Sequence, residues 1–151
     1  MQNHRLNIPT LLMADIIHGF RTIFPIPLAL GSTWDEAAVE KMAEISAKEA
    51  AVSGLHVTFS PMVDLVRDPR WGRVMESTGE DPLLNSRLAA AMVRGYQGEN
   101  LKEDNWRVAA CVKHFAAYGG ALAGRDYNTV DMSERQLREM YLPGYKAGLD
   151  A

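Results

Sequence analysis

The chain has 151 residues, of which 47% are hydrophobic and 23% are charged, and its formal net charge is −3. This balance is typical of one globular domain, and the sequence has neither a basic tract suited to nucleic acid nor the roughly 18 consecutive apolar residues of a membrane span. The single cysteine, Cys111, excludes an internal disulfide and a zinc site built from cysteines.

The first part of the sequence predicts a strand, a helix and a second strand. The apolar run Ile8–Asp15, which ends in a charge, predicts a buried strand. Thr33 and Glu36 predict a capping box that begins a helix, and Gly54 is expected to end it. The segment Leu55–Leu65 is rich in β-branched and aromatic residues, so it predicts a second buried strand.

A charged loop then leads into a second helix and a third strand. Asp81 predicts an N-cap, and Pro82 suits the first position of a helix that runs to about Tyr96. Gly98 is expected to end this helix. The apolar segment Val108–Tyr118 predicts the third strand.

A last helix completes three strand–helix pairs. Ser133 and Gln136 predict its capping box, and it runs toward Gly148. Near-continuous apolar strands that alternate with helices indicate an α/β fold with a parallel sheet, which occurs either as an open doubly wound sheet or as a (β/α) barrel.

Polar groups follow each predicted strand, where α/β proteins place their functional sites. They are Asp15–Gly19, the loop Arg67–Asp81 and the pair Lys113–His114. A complete (β/α)₈ barrel needs about 250 residues, and an open sheet of about three strands leaves both edges bare. We therefore expect residues 1–151 to be a fragment of a longer protein.

Three segments together carry a family resemblance: "ADIIHGFRTIFPIPLALGSTWD", "FSPMVDLVRDPRWGRVMESTGEDP" and "VKHFAAYGGALAGRDYNTVDMSERQLREMYLPGYKAGLDA". Through them, essentially the whole chain closely resembles the N-terminal catalytic domain of glycoside hydrolase family 3, in the style of its bacterial periplasmic β-glucosidases. The resemblance implies a partial (β/α)₈ TIM-type barrel of about three βα units. Downstream strands and a second α/β sandwich domain would lie outside the chain.

The resemblance also implies a reaction, which is retaining, exo-acting hydrolysis of terminal non-reducing β-D-glucosyl residues by two carboxyl groups. In the family, the nucleophilic Asp and the acid/base come from later segments, so no catalytic residue is expected here and the isolated fragment should be inactive and marginally stable. The substrate would be a β-glucoside oligosaccharide or an aryl glucoside, and no cofactor or metal is implied. The parent protein would be periplasmic or secreted, with any signal peptide upstream of this chain. No oligomeric state is implied.

The resemblance implies that this chain carries the glycone-binding part of the active site. The implied substrate-binding residues are Asp15, Arg21, Arg73, Lys113 and His114. Asp15 would accept hydrogen bonds from sugar hydroxyls O4 and O6, because a carboxylate is acceptor-only. Arg73 would donate to sugar hydroxyls while Glu76 orients it.

Lys113 and His114 would bind hydroxyls O2 and O3. Without the resemblance, such a pair would be interpreted as a surface lysine and a core histidine, because neighbouring strand residues point to opposite faces. Arg21 lines the site only in some relatives.

The other prominent residues near these motifs are expected to be structural. Trp71 is expected to pack within its loop, with sugar stacking as the alternative, and His18 is expected to pack under the site. Four charged residues of the loop are expected to form internal ion pairs: Arg67, Asp68, Arg70 and Asp81.

Alternative functions remain open. A β-xylosidase is disfavoured by Asp15, because that branch tends to place Glu there, and an N-acetylglucosaminidase is disfavoured because "AAYGGALAGRDYNTVD" lacks the histidine of that branch. A non-catalytic sugar-binding remnant is a further alternative. No glycine-rich phosphate-binding motif is present, and the four histidines, His4, His18, His56 and His114, are scattered without metal-ligand spacing.

Overall fold

The computed structural model describes residues 5–151, so His4 lies outside the described residues. Three parallel strands alternate with helices along this part of the chain. The strands are β1 (Met13–Ala14), β2 (Val57–Thr58) and β3 (Ala109–Ala110). The helices are α1 (Pro27–Gly31), α2 (Glu36–Val52), α3 (Pro82–Gln97), α4 (Glu134–Gln136) and α5 (Leu142–Asp150), with a π-helical turn, Leu137–Tyr141, joining α4 to α5. Short 3₁₀ turns lie at Val74–Glu76, Tyr118–Gly120 and Leu122–Gly124.

The sheet has the order β1-β2-β3, and both neighbouring pairs are parallel. Met13 pairs with Val57, which pairs with Ala109. This architecture confirms the predicted α/β fold with a parallel sheet. Within residues 5–151, no helix is long and apolar enough to cross a membrane.

The paired strands are much shorter than predicted. Only two residues of each predicted segment pair regularly, although single backbone hydrogen bonds continue beyond them, such as Cys111 N to Ser60 O at 3.0 Å. The prediction that Ile8–Asp15 is buried is also wrong, because Leu11 and Met13 are 59% and 48% exposed. Apolar runs report the preference of side chains for burial, and β1 is an edge strand with one uncovered side in this sheet.

Side-chain caps begin three of the helices. Asp81 Oδ1 accepts from Leu84 N at 2.7 Å, and Ser133 Oγ accepts from Gln136 N at 3.2 Å, so both predicted caps are confirmed. Gly98, at φ 62°, follows the last residue of α3 as predicted.

The predicted cap of α2 is wrong. Asp35 begins the helix, since its Oδ1 accepts from Ala38 N at 3.0 Å. Thr33 instead donates to Leu30 O at 2.6 Å, at the end of the unpredicted helix α1. A five-residue helix that starts with proline presents too few turns to give a periodic pattern.

Helices α2 and α3 cover one face of the sheet and form the main core. Met42, Leu88, Tyr96 and Val108 are buried in it. The helix backbones approach closely at Gly95, where an added Cβ would lie 2.4 Å from Glu40 O. This close approach brings both helices onto the strands that carry the polar residues described below.

The substitution Gly95→Ala tests this crossing. We expect it to lower the free energy of unfolding by about 1–3 kcal/mol, because the methyl group would force the helices apart. Alanine is otherwise the better helix former by about 1 kcal/mol. The matched control is Gly72→Ala, since an added Cβ there meets nothing within 4 Å. Urea unfolding of the protein encoded by the complete gene measures both, and equal stability of the two variants would contradict the close crossing.

Candidate functional site

Polar side chains gather beyond the C-terminal ends of the three strands. We call them the strand-end cluster: Asp15 follows β1, Asp64 and Arg73 follow β2, and Lys113 and His114 follow β3. The parallel direction of the strands explains the gathering, because each strand delivers its following loop to the same edge of the sheet.

An ion pair joins the first and third strands across the cluster. Lys113 Nζ lies 2.7 Å from Asp15 Oδ1, although the residues are 98 positions apart in sequence. The lysine side chain is only 12% exposed, whereas the aspartate side chain is 61% exposed. The Asp15 carboxylate therefore combines a fixed position with an open face that can accept hydrogen bonds.

Arg73 is held from several sides. Glu76 binds it through two hydrogen bonds, Nε to Oε1 at 2.7 Å and Nη2 to Oε2 at 2.6 Å. The 3₁₀ turn makes this contact because it places residues three apart on one side. Arg73 Nη1 lies 3.2 Å from His114 Nε2, and the guanidinium lies 5.5 Å from the centre of the Tyr118 ring. The Glu76 carboxylate raises the pKa of Arg73, so the guanidinium stays charged.

Asp64 lies beneath His114 and is 1% exposed. Its Oδ2 accepts two hydrogen bonds from the same residue, from the backbone N of His114 at 2.9 Å and from its Nδ1 at 2.8 Å. The Tyr145 hydroxyl, on α5, donates to the His114 carbonyl. Burial raises the pKa of Asp64, and the hydrogen bonds from His114 offset part of this rise.

Asp64 is a member of the strand-end cluster that is not among the residues predicted from the sequence. The available signal was a single carboxylate within the apolar run "PMVDLV". A charged residue in a buried strand segment needs specific partners, because burying an unpaired charge is very unfavourable. Such a position is therefore a candidate for a functional contact.

The charged loop after β2 is stabilised by a buried tryptophan. Trp71 is 2% exposed, and its Nε1 donates to Asp126 Oδ1 at 3.0 Å, so the packing role is confirmed and sugar stacking is wrong. Asp68 and Arg70 form the expected ion pair, at 2.6 Å. The other two ion-pair predictions are wrong, because Asp81 caps α3 and Arg67 has no salt bridge within residues 5–151.

The structure joins Asp15 to Lys113 and Arg73 to His114, whereas the contacts of Arg21 are with α2. The backbone N–H groups of Arg21 and Thr22 both donate to Glu49 Oε2, at 2.8 and 2.9 Å. The Arg21 side chain lines an open groove beside α2 with Lys48 and Val52. Its role in binding stays a prediction. His18 Nδ1 lies 2.9 Å from Phe24 O, which fits the structural role expected for it.

The strand-end cluster offers hydrogen-bond donors and acceptors at a mouth that solvent can reach. A carboxylate, an ammonium and a guanidinium together match a molecule with several neighbouring hydroxyl groups. Among the described residues, no three side chains of His, Cys, Asp or Glu are grouped as metal ligands.

The raised pKa of Asp64 predicts how stability depends on pH. The folded protein binds the Asp64 proton more tightly than the unfolded chain does, so this contribution is present below the ordinary pKa of 3.8 and is lost as the pH rises through the raised pKa. Asp64→Asn does not titrate. We therefore expect wild type to lose stability relative to Asp64→Asn as the pH rises above about 4, measured by thermal unfolding.

Asp68→Asn is the control of opposite sign. Arg70 lowers the pKa of the partly buried Asp68 to about 2. Wild type should therefore lose stability relative to Asp68→Asn as the pH falls, by a small and salt-sensitive amount. If both comparisons had the same sign, burial would not dominate the titration of Asp64.

Comparison with known proteins gives consistent matches along the chain. The family described as "Glycosyl hydrolase family 3 N terminal domain" matches residues 1–151. The chain is 50% identical to the "Periplasmic beta-glucosidase" of Salmonella typhimurium over 97% of this chain and 19% of that protein. It is 39% identical to a "Beta-xylosidase" of Formosa agariphila, over 97% of this chain and 22% of that protein.

Solved structures agree. A crystal structure of the β-glucosidase from Listeria innocua in complex with glucose superimposes with a TM-score of 0.95 and is 64% identical. The match covers 97% of this chain and 20% of that chain. The chain therefore spans about a fifth of the length of these relatives.

Proposed function

Because the chain belongs to glycosyl hydrolase family 3, in its N-terminal domain, we propose that its parent protein is a retaining, exo-acting β-glucosidase. In this proposal, the segment supplies the glycone-binding part of the active site. The substrate is the terminal β-D-glucosyl unit of an oligosaccharide or an aryl glucoside. The β-glucosidase relatives, one of them with glucose bound in its crystal structure, support this choice.

The observation that carries the proposal is the meeting of Asp15, Arg73, Lys113 and His114 at one edge of the sheet. Asp15 accepts from hydroxyls O4 and O6 through its exposed carboxylate. Lys113 and His114 bind O2 and O3, and Arg73 donates to neighbouring hydroxyls. Contacts at O2 strengthen in the transition state of glycoside hydrolysis, so this part of the site contributes to rate as well as to binding.

The two catalytic carboxyl groups come from other parts of the parent protein in this proposal. A retaining glycosidase needs a nucleophilic carboxylate and a second carboxyl group as acid/base. In the strand-end cluster, Asp15 is paired with Lys113, and Asp64 is buried beneath His114. Neither carboxylate is free to act as the nucleophile or as the acid/base, so the segment alone would not hydrolyse substrate. The reaction needs no cofactor.

The compartment is also part of the proposal. The name of the Salmonella relative places that protein in the periplasm, and we assign the parent of this chain to the periplasm or to secretion on that similarity. Cell fractionation of the source organism tests this assignment.

A β-xylosidase is the second candidate, because a relative with 39% identity carries that name. Glucose and xylose differ by the hydroxymethyl group at C6. Asp15 is the residue assigned to this end of the sugar. A β-glucosidase therefore needs a side chain at position 15 that leaves room for the hydroxymethyl group, whereas a β-xylosidase does not.

Alanine substitutions test the site. In the protein encoded by the complete gene, we expect Asp15→Ala, Lys113→Ala and His114→Ala each to lower kcat/KM for an aryl β-glucoside by about 10²-fold or more, because each removes transition-state contacts. The matched control is Lys41→Ala, which also breaks a 2.7 Å lysine–carboxylate pair but on the exposed surface of α2. It should leave kcat/KM unchanged.

The outcomes of this experiment separate the alternatives. Changes under about threefold for all three site variants would remove the site assignment, since such changes are below one lost hydrogen bond. If the wild-type protein bound glucose without hydrolysing any β-glucoside, it would be a non-catalytic sugar-binding protein and the proposed function would be wrong.

Specificity is tested by lengthening the carboxylate. Asp15→Glu moves the acceptor oxygens toward the C6 hydroxymethyl group, so we expect the ratio of kcat/KM for aryl β-glucoside to that for aryl β-xyloside to fall by about tenfold, in the range of one lost or crowded contact. Asp15→Asn is the control, because it keeps the length of the side chain. An unchanged ratio for Asp15→Glu would contradict the assignment of Asp15 to the C6 end.

A further inference from the structure

We propose that Asp64 is the positioning residue of the strand-end cluster: its buried carboxylate holds His114 as the Nδ1–H tautomer, which makes Nε2 a hydrogen-bond acceptor for a sugar hydroxyl. The consequence for substrate rests on the proposed function, because it is measured on glucoside hydrolysis. The tautomer itself is a property of the protein that can be measured without substrate.

Asp64 holds both the backbone and the ring of His114. One carboxylate oxygen, Oδ2, accepts from both the backbone N and the ring Nδ1 of His114, at 2.9 and 2.8 Å. A carboxylate accepts but does not donate, so the ring nitrogen that faces it must carry the proton. Because the two donors belong to the same residue, Asp64 determines the orientation of the imidazole relative to its own backbone.

The other ring nitrogen of His114 faces a donor. His114 Nε2 lies 3.2 Å from Arg73 Nη1. A guanidinium has donors and no acceptor, so Nε2 must present its lone pair. Asp64 and Arg73 are chemically opposite partners on opposite edges of one ring, and both require the same Nδ1–H tautomer.

Two tyrosines restrict the ring further. The Tyr145 hydroxyl donates to the His114 carbonyl, and burial raises the pKa of Tyr145, so its hydroxyl stays protonated. The Tyr118 ring meets the imidazole edge to face, with centres 5.0 Å apart. Turning the imidazole over would place ring carbons against Asp64 and Arg73, and both contacts would be lost.

The tautomer defines what the site offers to a hydroxyl group. Lys113 and Arg73 can only donate hydrogen bonds, whereas His114 in this form can only accept one. A hydroxyl that lies between Lys113 and His114 therefore accepts from the ammonium and donates to Nε2, where it takes the place of Arg73 Nη1 at the single lone pair of this nitrogen. The site would thus use the hydroxyl as donor and acceptor at once, which a substrate with hydrogen at that position cannot match.

The experiment compares three aryl β-glucosides, the parent compound, its 3-deoxy analogue and its 6-deoxy analogue, with the protein encoded by the complete gene. Asp64→Leu removes the acceptor and keeps the number and branching of the side-chain heavy atoms. We expect it to lower kcat/KM for the parent compound by about tenfold or more. The 3-deoxy penalty is the ratio of kcat/KM for the parent compound to kcat/KM for its 3-deoxy analogue, and the 6-deoxy penalty is defined in the same way. We expect Asp64→Leu to reduce the 3-deoxy penalty by about fivefold or more, as for members of one hydrogen-bond network. The 6-deoxy penalty should stay within about twofold, because that end of the sugar is assigned to Asp15.

Asp64→Asn tests the mechanism by rescue. Its amide oxygen can accept the same two N–H groups, so it should restore kcat/KM and the 3-deoxy penalty to within about threefold of wild type. If Asn were as damaging as Leu, the negative charge and not the tautomer would be the contribution of Asp64, and the proposal would be wrong. Ser46→Ala, which loses a buried hydroxyl that donates to Met42 O, is the control for stability alone and should change neither penalty.

Nuclear magnetic resonance of ring-labelled histidine in the wild-type protein tests the tautomer directly, including the case in which Asp64→Leu does not fold. We expect His114, assigned with a His114→Asn variant, to carry its proton on Nδ1 near neutral pH. A proton on Nε2 would overturn the proposal.

Wild-type protein that hydrolyses no glucoside would refute the proposed function while leaving this measurement valid. Normal hydrolysis with an unchanged 3-deoxy penalty in Asp64→Leu would refute the positioning role alone.

Discussion

The parallel alignment of β1, β2 and β3 is the constraint on which the rest of the structure depends. The regular pairing involves only two residues in each strand, so few ladder hydrogen bonds maintain it. Helices α2 and α3 supply the missing stability by covering the sheet with a common core, and their backbones meet closely at Gly95. This arrangement brings Asp15 within 2.7 Å of Lys113, at a separation of 98 positions in sequence.

Within the cluster, charges alternate so that each charged group has a partner. A continuous series of contacts runs from Glu76 through Arg73 and His114 to Asp64. Partly buried charges are tolerated only when hydrogen-bonded partners compensate for the water they lose. The same series explains the charged loop after β2, in which Arg73 enters the strand-end cluster and buried Trp71 anchors the turn that carries it.

Asp64 departs from the rules that govern the core. Burial of the Asp64 carboxylate in an apolar strand segment is unfavourable, and this burial raises the pKa of the group. The two N–H groups that it binds both belong to His114, so the unfavourable burial is coupled to the orientation of one side chain in the strand-end cluster. Local conflicts of this kind are expected where structure is organised for function.

The sequence by itself determined the alternation of strands and helices, the caps of α3 and α4, and four of the residues that meet in the cluster, because local capping patterns, apolar runs and a family motif are readable from short segments. It did not determine where strand pairing stops, that Asp35 and not Thr33 caps α2, or that Arg21 contacts Glu49. The tertiary structure alone decided that Asp64 lies beneath His114, 50 positions away. Apolar patterning specifies which side chains prefer burial, whereas the partner of a buried charge is chosen by contacts between segments that are distant in the chain.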